Sequence, residues 1–330
     1  VSGCSSEAED QVRSSTEVVW GNAVNLFFTP EHSFNDELQD RYPPYNRPYS
    51  LGLWAKATTL RANTQIVLLD PDMMLLSPLE LPSPSMTSKD VLYRGGRNLD
   101  EVRSHLQRGG PTGQRYPYLG KRWSEANLTL QDICPAGDVR CLSVTAEAMA
   151  QDFSVGPPWI TRLDDLQAAL PLWEFFAPRI RKQYRNLIAE MYAYSLSFAT
   201  VGRPHILFDH FMVSYPEAPV DEQAWEWVGE DDDPCADEIP GHQRPTFLHY
   251  CELYQADQYY FYKRQVPGRS LLQCDTPLFR EPRSSLLKER RAQRDDIKAV
   301  RHAWVLCAAT RAINRALVHI KRRTCPAGFN

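Results

Sequence analysis

The stretch that decides the fold is Gln65-Ile66-Val67-Leu68-Leu69-Asp70-Pro71-Asp72. Its first part is a continuous apolar run, too short for a helix and bounded by polar residues, which is typical of a strand buried on both faces. Asp70 and Asp72 follow this strand directly. In an open α/β sheet the carboxyl ends of the strands deliver side chains into a ligand-binding crevice. The stretch therefore predicts an α/β fold with two carboxylates at a ligand site.

Helical and strand-like patterns alternate on both sides of this stretch. Upstream, Asn46 is a potential helix cap, and Pro48 suits a first helical turn. Leu51, Trp54 and Ala55 then recur at helical spacing and form one apolar face. Downstream, we predict a strand at Trp159-Ile160, helices from near Leu163 and over Asn186–Thr200, a strand over Thr246–Leu248 that ends at His249, and a long amphipathic helix over Ile297–Ile320. The alternation supports the α/β class.

The length and the charge distribution suggest a large domain with a basic extension. The chain has 330 residues, and a single α/β domain can reach ~250. We predict an α/β domain over 1–279, with a loop-rich insertion over 77–150, and a basic helical extension over 280–330. From residue 280 onward there are 13 Lys or Arg and 4 Asp or Glu, a surplus of +9, so a net charge of −4 leaves −13 for the remainder. The basic segment is either a solvated helix face or a patch for an anionic partner.

Composition and cysteine pattern narrow the class of protein. An apolar fraction of 43% and a charged fraction of 24% exclude disorder, collagen and coiled coil. No stretch approaches the ~18 consecutive apolar residues of a membrane helix, and the first residues lack a signal-peptide pattern, so a soluble chain is expected. Cys134 and Cys141 bracket a short turn that a disulfide could close, and Asn127-Leu128-Thr129 is an acceptor for N-glycosylation. Both features indicate an oxidising lumen.

Asp70 and Asp72 are candidate metal ligands. Two carboxylates one residue apart can hold a hard divalent cation such as Mg²⁺ or Mn²⁺. Such an ion neutralises a diphosphate and stabilises a phosphate leaving group, as transfer from a nucleotide sugar requires. The alternative is that both are turn residues around Pro71. The strand before them and Met73-Met74-Leu75-Leu76 after them favour the metal interpretation.

Further blocks of sequence reveal a family resemblance. In chain order they are Tyr45-Asn46-Arg47-Pro48-Tyr49-Ser50-Leu51, Trp54, Ile66-Val67-Leu68-Leu69-Asp70-Pro71-Asp72-Met73-Met74-Leu75, Gly156-Pro157-Pro158-Trp159-Ile160, Asp164-Asp165-Leu166, Glu190-Met191-Tyr192-Ala193-Tyr194-Ser195, Met212-Val213-Ser214-Tyr215-Pro216 and Leu248-His249-Tyr250-Cys251. Over roughly residues 40–280 the chain resembles the plant and algal hydroxyproline O-arabinosyltransferases and the related peptidyl serine α-galactosyltransferases. The resemblance implies a GT-A glycosyltransferase fold, a Rossmann-like mixed sheet flanked by helices. The family pattern has a strand and a helix upstream of the segment at Val1, so this chain is expected to lack them, and it has Pro71 where the family has Ala.

The resemblance also implies roles for single residues. The implied metal ligands are Asp70, Asp72 and His249, with His205 and His210 as competing histidines. The predicted donor-binding residues are Asn46, Arg47, Asp70, Gly156 and Lys263. Arg47, near a helix start, and Lys263, after an aromatic run, could each contact the diphosphate, and the alternative for both is ordinary surface charge. The implied cofactor is Mn²⁺ or Mg²⁺.

Glu190 is the candidate for the reacting centre. It lies beside Met191, Tyr192 and Tyr194 in a helix-like segment, and a carboxylate among apolar neighbours is costly unless it is paired or used. The arabinosyltransferase and galactosyltransferase activities that the resemblance implies both retain the anomeric configuration of the sugar. Glu190 would then have one of three roles: to stabilise the oxocarbenium-like centre, to form a covalent adduct, or to position the acceptor hydroxyl. The alternative is a salt bridge to a nearby arginine.

The expected activity is transfer of arabinofuranose or galactose from a UDP-sugar to hydroxyproline or serine hydroxyls of a secreted, hydroxyproline-rich protein. The expected location is the lumen of the Golgi or endoplasmic reticulum, with membrane attachment only through a segment outside this chain and with no nucleic-acid partner. One alternative is a catalytically silent glycan- or peptide-binding domain. Another is a haloacid-dehalogenase-type phosphatase, which expects Thr or Val where Met74 stands.

Overall fold

The computed structural model of the chain divides into two compact units. It describes residues 1–79, 98–116, 119, 123, 126–209, 211–218, 225–226, 228–229, 233–236, 245–256, 258–265, 271–282 and 297–329. The first unit consists mainly of Val1–Leu68 and Tyr93–Phe208, and the second mainly of Leu69–Pro82 and Asp209–Asn330. The domain boundary between residues 279 and 280 stays a prediction.

The described elements are a mixture of helices and short strands. The helices are α1 Ser6–Trp20, α2 Asn46–Ala57, α3 Leu99–Gln107, α4 Leu130–Ile133, α5 Val139–Leu142, α6 Ala146–Asp152, α7 Leu163–Gln183, α8 Ala189–Thr200 and α9 Ile297–Thr324. The strands are β1 Phe34–Asn35, β2 Asp40–Arg41, β3 Gln65–Leu68, β4 Met73–Leu75, β5 Thr112–Arg115, β6 Val155–Arg162, β7 Ile206–Phe208, β8 Met212–Val213, β9 Phe247–His249, β10 Tyr254–Ala256 and β11 Tyr259–Phe261. The mixed α/β class is confirmed, as is the long C-terminal helix. The strand predicted at residues 159–160 lies within β6, and the strand predicted over 246–248 is observed as β9, one residue further along.

The first unit is built on a four-stranded mixed sheet. Its strand order is β3-β6-β5-β7, in which β5 and β7 are parallel and the other two pairs are antiparallel. Helices α7 and α8 pack against each other, and their aromatic side chains meet the sheet. The ring of Trp159 stacks on Tyr194 at 4.3 Å, and Trp173 packs edge-on against both rings. Each such pair stabilises the core by about 0.5–1.5 kcal/mol beyond burial.

Strand β3 differs from the prediction. It was expected to be buried on both faces, but it lies at the edge of the sheet, pairs only with β6 among the described strands, and alternates between exposed and half-buried residues. Val67 is 38% exposed. An apolar run alone does not reveal whether a strand has one neighbour or two, so the prediction of a strand buried on both faces was wrong.

The start of α2 also differs in detail. Asn46 is not its cap: a 3₁₀ turn over Pro43–Tyr45 leads directly into the helix, and Asn46 is the first helical residue. Its side-chain oxygen accepts a hydrogen bond from the backbone N–H of His32 at 2.7 Å. Pro48 does lie in the first turn, as predicted, because its missing N–H has no intrahelical partner there.

The range 77–150, expected as a loop-rich surface insertion, contributes strand β5 to the middle of the sheet. The strand sequence Thr-Gly-Gln-Arg has no apolar run, which is why it gave no signal. Gly113 is required there because a Cβ would lie 2.7 Å from the carbonyl oxygen of Pro158 on β6. Along the chain, helix α3 precedes this strand and helices α4, α5 and α6 follow it.

The second unit holds a smaller sheet with the order β4-β9-β8, the hairpin β10–β11 and the long helix α9. Helix α9 forms part of its core, where Trp304 and Val305 are buried with Leu248 and Tyr254. Disulfides join Cys235 to Cys307 and Cys274 to Cys325 in this unit, and Cys134 to Cys141 in the first, as the bracketed turn suggested. Among the described helices, none combines the length and apolar character needed to cross a membrane.

Candidate functional site

Asp70, Asp72 and His249 come together in the second unit. One oxygen from each carboxylate and one ring nitrogen all lie within 4.8 Å of one another, and all three residues are half-buried. Carboxylate oxygens and an imidazole nitrogen form a donor set that suits a divalent cation. These three residues, called the metal group from here on, are therefore confirmed as a set that could hold a metal ion.

Strand pairing and a turn bring these side chains together. Strand β4 runs antiparallel to β9 with Met73 opposite His249, so the histidine lies beside the residues that precede β4. The N–H of Met73 donates to the carbonyl of Asp70 at 3.1 Å and closes a turn around Pro71. Proline suits this position because its φ is fixed and it has no N–H to satisfy. The turn around Pro71 thus places Asp70 and Asp72 on either side of the proline, with both carboxylates near His249.

Asp72 contacts two basic side chains, those of His249 and Lys263. Its Oδ1 lies 3.3 Å from Nε2 of His249, and its Oδ2 accepts a hydrogen bond from Nζ of Lys263. Burial raises the pKa of Asp72, but the hydrogen bonds and charges of His249 and Lys263 outweigh it and hold that pKa well below its usual range. Burial lowers the pKa of His249, yet the contacts with Asp72 and with the Cys251 thiol raise it to about 10 overall. At neutral pH His249 therefore carries a proton that an incoming cation must displace.

Lys263 is a predicted donor-binding residue that the structure places beside the metal group. It begins a 3₁₀ turn, Lys263–Gln265, directly after β11. The hairpin is held in part by Phe261, whose ring packs edge-on against Tyr250 at 5.8 Å. In the structure the ammonium group balances the charge of Asp72. This position also puts a cation within reach of an anion bound at the group.

Cys251 and Ser214 are neighbours of the metal group that sequence reasoning did not single out. Cys251 is a half-buried free cysteine whose Sγ lies 3.2 Å from Oγ of Ser214. The Cys251 side chain also helps to raise the pKa of His249. The available signal was its place two residues after His249, which alternation along an extended chain puts on the same side.

Glu190 and Arg47 meet in the first unit. Glu190 is 2% exposed and lies in the first turn of α8, and its Oε2 lies 3.3 Å from Nη1 of Arg47. The guanidinium of Arg47 also lies over the ring of Trp159, at 5.2 Å. The hydroxyl of Tyr42 accepts a hydrogen bond from the backbone N–H of Glu190, and burial raises the pKa of that hydroxyl. This ion pair matches the alternative interpretation of Glu190, a salt bridge to a nearby arginine. A role for Glu190 at the reacting centre stays a prediction.

Comparisons of the chain with protein-family models, curated proteins and solved structures found no match. The chemistry assigned to these residues therefore rests on their geometry and on the sequence pattern.

Asn46 and Gly156 have local structural roles, and their predicted contacts with a donor stay predictions. The amide nitrogen of Asn46 donates to the carbonyl of Pro43 at 3.1 Å, so both ends of its side chain are used within its own segment. Gly156 lies in β6, where a Cβ would lie 2.2 Å from the ring of Tyr116. That close approach requires glycine.

Of the two competing histidines, His205 is described by the structure and does not join the metal group. The Nε2 of His205 is 3.0 Å from the hydroxyl of Tyr194, and its ring packs edge-on against Phe198, so His205 is a residue of the first unit's core. His210 lies outside the described residues. His249 is the histidine that the structure places beside Asp70 and Asp72.

We expect Gly156→Ala to destabilise the chain by about 1–3 kcal/mol, because its methyl group would overlap the buried ring of Tyr116. Gly52→Ala is the matched control, since its Cβ meets only Glu174 Oε2, at 3.8 Å, and alanine favours a helix interior by up to about 1 kcal/mol. Urea unfolding followed by circular dichroism measures both. Equal midpoints for the two variants would contradict the packing role.

We expect Mn²⁺ affinity to rise with pH. The ring nitrogen of His249 binds a cation only when deprotonated, and its pKa is raised to about 10. Between about pH 6 and about pH 8 each binding event should therefore release close to one proton, so affinity increases by up to about tenfold per pH unit. Calorimetry in buffers of different ionisation enthalpy counts the proton. In His249→Asn the release should disappear, and a pH-independent affinity of the unmodified chain would contradict the assignment.

Proposed function

We propose that this chain is a metal-dependent glycosyltransferase of the GT-A type. It would move arabinofuranose or galactose from a UDP-sugar to a hydroxyl of hydroxyproline or serine in a secreted, hydroxyproline-rich protein, with retention. The observation that carries the proposal is that Asp70 and Asp72, which follow β3 in the chain, converge with His249 at the end of β9. The resemblance of the sequence blocks supports the class of donor and acceptor.

The residues of the metal group suit the chemistry of a diphosphate leaving group. A bound Mn²⁺ or Mg²⁺ supplies positive charge that stabilises the departing UDP. Asp70 and Asp72 would hold the ion, and His249 would bind through its ring nitrogen after losing its proton. Because Asp72 would then share its charge with the ion, its attraction for Lys263 would weaken. The ammonium group would turn to a phosphate oxygen, so that the chain itself contributes a second cation.

We also propose a location in the lumen of the Golgi or endoplasmic reticulum. The support is the three disulfides of the described residues, Cys134–Cys141, Cys235–Cys307 and Cys274–Cys325. Disulfides persist in oxidising compartments and are rare in the cytosol.

A titration of UDP with and without Mn²⁺ tests the proposal, with UMP as the matched ligand that lacks the diphosphate. We expect UDP binding that requires Mn²⁺, much weaker UMP binding, and slow hydrolysis of one UDP-sugar in a screen of donors. An equal affinity for UDP with and without Mn²⁺ would contradict the proposal. Failure to bind UDP combined with binding of a glycan or peptide would identify a silent binding domain, and release of phosphate from a phosphomonoester would identify a phosphatase.

A further inference from the structure

A groove of about 630 Å³ runs along one face of α9 in the second unit. Leu278 and Val318 are its apolar residues, and Arg315, His319 and Arg322 line it with basic side chains. The three basic residues are spaced by four and three positions, so they share one face of the helix. All three are exposed. The groove therefore combines two apolar side chains and a row of basic groups with one carboxylate, that of Glu281.

One side of the groove is formed by a chain segment that is attached to α9 and to the residue after it. The segment that contains Leu278 is fastened to the residue after α9 by the Cys274–Cys325 disulfide, whose Cα atoms are 5.7 Å apart. Further along, the side-chain amide of Asn314 forms two hydrogen bonds with the backbone of Phe279, at 2.8 Å and 2.9 Å. The segment on this side of the groove is therefore held to α9 at one place and to the residue after α9 at the other.

Two of the basic groups in the groove have no ion-pair or hydrogen-bond partner among the described residues. Helix α9 contains seven Lys or Arg residues and no Asp or Glu. Arg311 is paired with Glu281 at 3.3 Å. In the part of the chain that the structure describes, Arg315 and Arg322 form neither an ion pair nor a hydrogen bond. These two guanidinium groups are available to an external anion.

We propose that this groove binds an extended acidic peptide segment of a partner protein, with carboxylates three residues apart. Arg315 and Arg322 are two helical turns apart, about 10.5 Å along the axis. In a polyproline II peptide, residues three apart lie on the same face and about 9.3 Å from each other. Two carboxylates at that spacing match the two guanidinium groups, and the residues between them contact Leu278 and Val318. The proposal does not depend on the transferase activity.

Fluorescence anisotropy with a labelled Pro-Pro-Glu repeat peptide tests the proposal on the full chain. We expect binding that weakens with added salt, because the pairs are exposed. An isomeric peptide with the same glutamates placed next to one another in pairs should bind more weakly. The double variant Arg315→Glu/Arg322→Glu should weaken binding by about tenfold or more, since two charge-assisted contacts become repulsive.

Lys56→Glu/Lys182→Glu is the matched control, because it changes the net charge equally at exposed lysines of α2 and α7 and should leave binding unchanged. Arg315→Gln/Arg322→Gln repeats the test without charge reversal if the first variant does not fold. Equal binding of the two peptides, equal loss in the lysine control, or preferred binding of polygalacturonate over the peptide would overturn the proposal.

Discussion

Asp72→Asn is expected to remove metal-dependent UDP binding, with a loss of Mn²⁺ affinity of at least about 100-fold. Asp72 lies between His249 and Lys263, and its carboxylate is the group that both cations contact. The substitution keeps the shape of the side chain but removes the negative charge, which leaves two cations near the place where a third must bind. Loss of supporting groups around a metal already costs about 10–100-fold in affinity, so loss of a ligand should cost more. Calorimetric titration with Mn²⁺, followed by UDP, measures the effect.

Asp275→Asn is the control for this experiment. Asp275 is exposed and lies in the same unit, so the variant removes the same charge away from the metal group. Its Mn²⁺ affinity should equal that of the unmodified chain. If Asp72→Asn binds Mn²⁺ normally while its fold is intact, Asp72 is a turn residue and the metal assignment fails.

Glu190→Gln is expected to lower the turnover number by about 10²–10³ and to leave the donor's binding constant nearly unchanged. An interaction that exists chiefly with the charge developing on the sugar affects the transition state and not the bound donor. A single electrostatic contact of this kind contributes on the order of 10²–10³ in rate. Sugar transfer and donor hydrolysis are both measured. A raised Michaelis constant for the acceptor with normal hydrolysis would indicate that Glu190 orients the acceptor.

The Arg47 ion pair requires a double-mutant cycle in the same experiment. Glu190→Gln removes a negative charge beside the guanidinium of Arg47, which is only 27% exposed, so some loss of stability is expected. Arg47→Gln and the combined variant Glu190→Gln/Arg47→Gln separate pairing from chemistry. If the combined variant regains both stability and rate, Glu190 is a structural partner of Arg47 and the catalytic prediction is wrong.

Features that depend on nearby residues were predictable from the sequence. The face formed by Val300, Trp304 and Cys307 recurs at helical spacing, and helix α9 follows it. The short run that ends at His249 was predicted as a strand and forms β9. The Asp-Pro-Asp tripeptide indicated paired carboxylates because one intervening residue sets their separation whatever the rest of the chain does.

Features that depend on distant partners were not predictable in the same way. Strand β5 has no apolar pattern, and its central place depends on pairing with both β6 and β7. Strand β3 has the apolar pattern of a central strand, yet it has a single described neighbour. The number of neighbours of a strand is a property of the whole sheet, so it cannot be predicted from the residues of that strand alone.

By itself, the sequence of this protein determined its α/β class, most of its long helices and the two carboxylates of a metal group. Only the tertiary structure decided which histidine joins them. Registry between β4 and β9 places Met73 opposite His249, whereas Tyr194 holds His205 in the core of the first unit. The physical reason is that local spacing acts over a few bonds, while a ligand set requires segments more than a hundred residues apart to meet, and only strand pairing and packing bring them together.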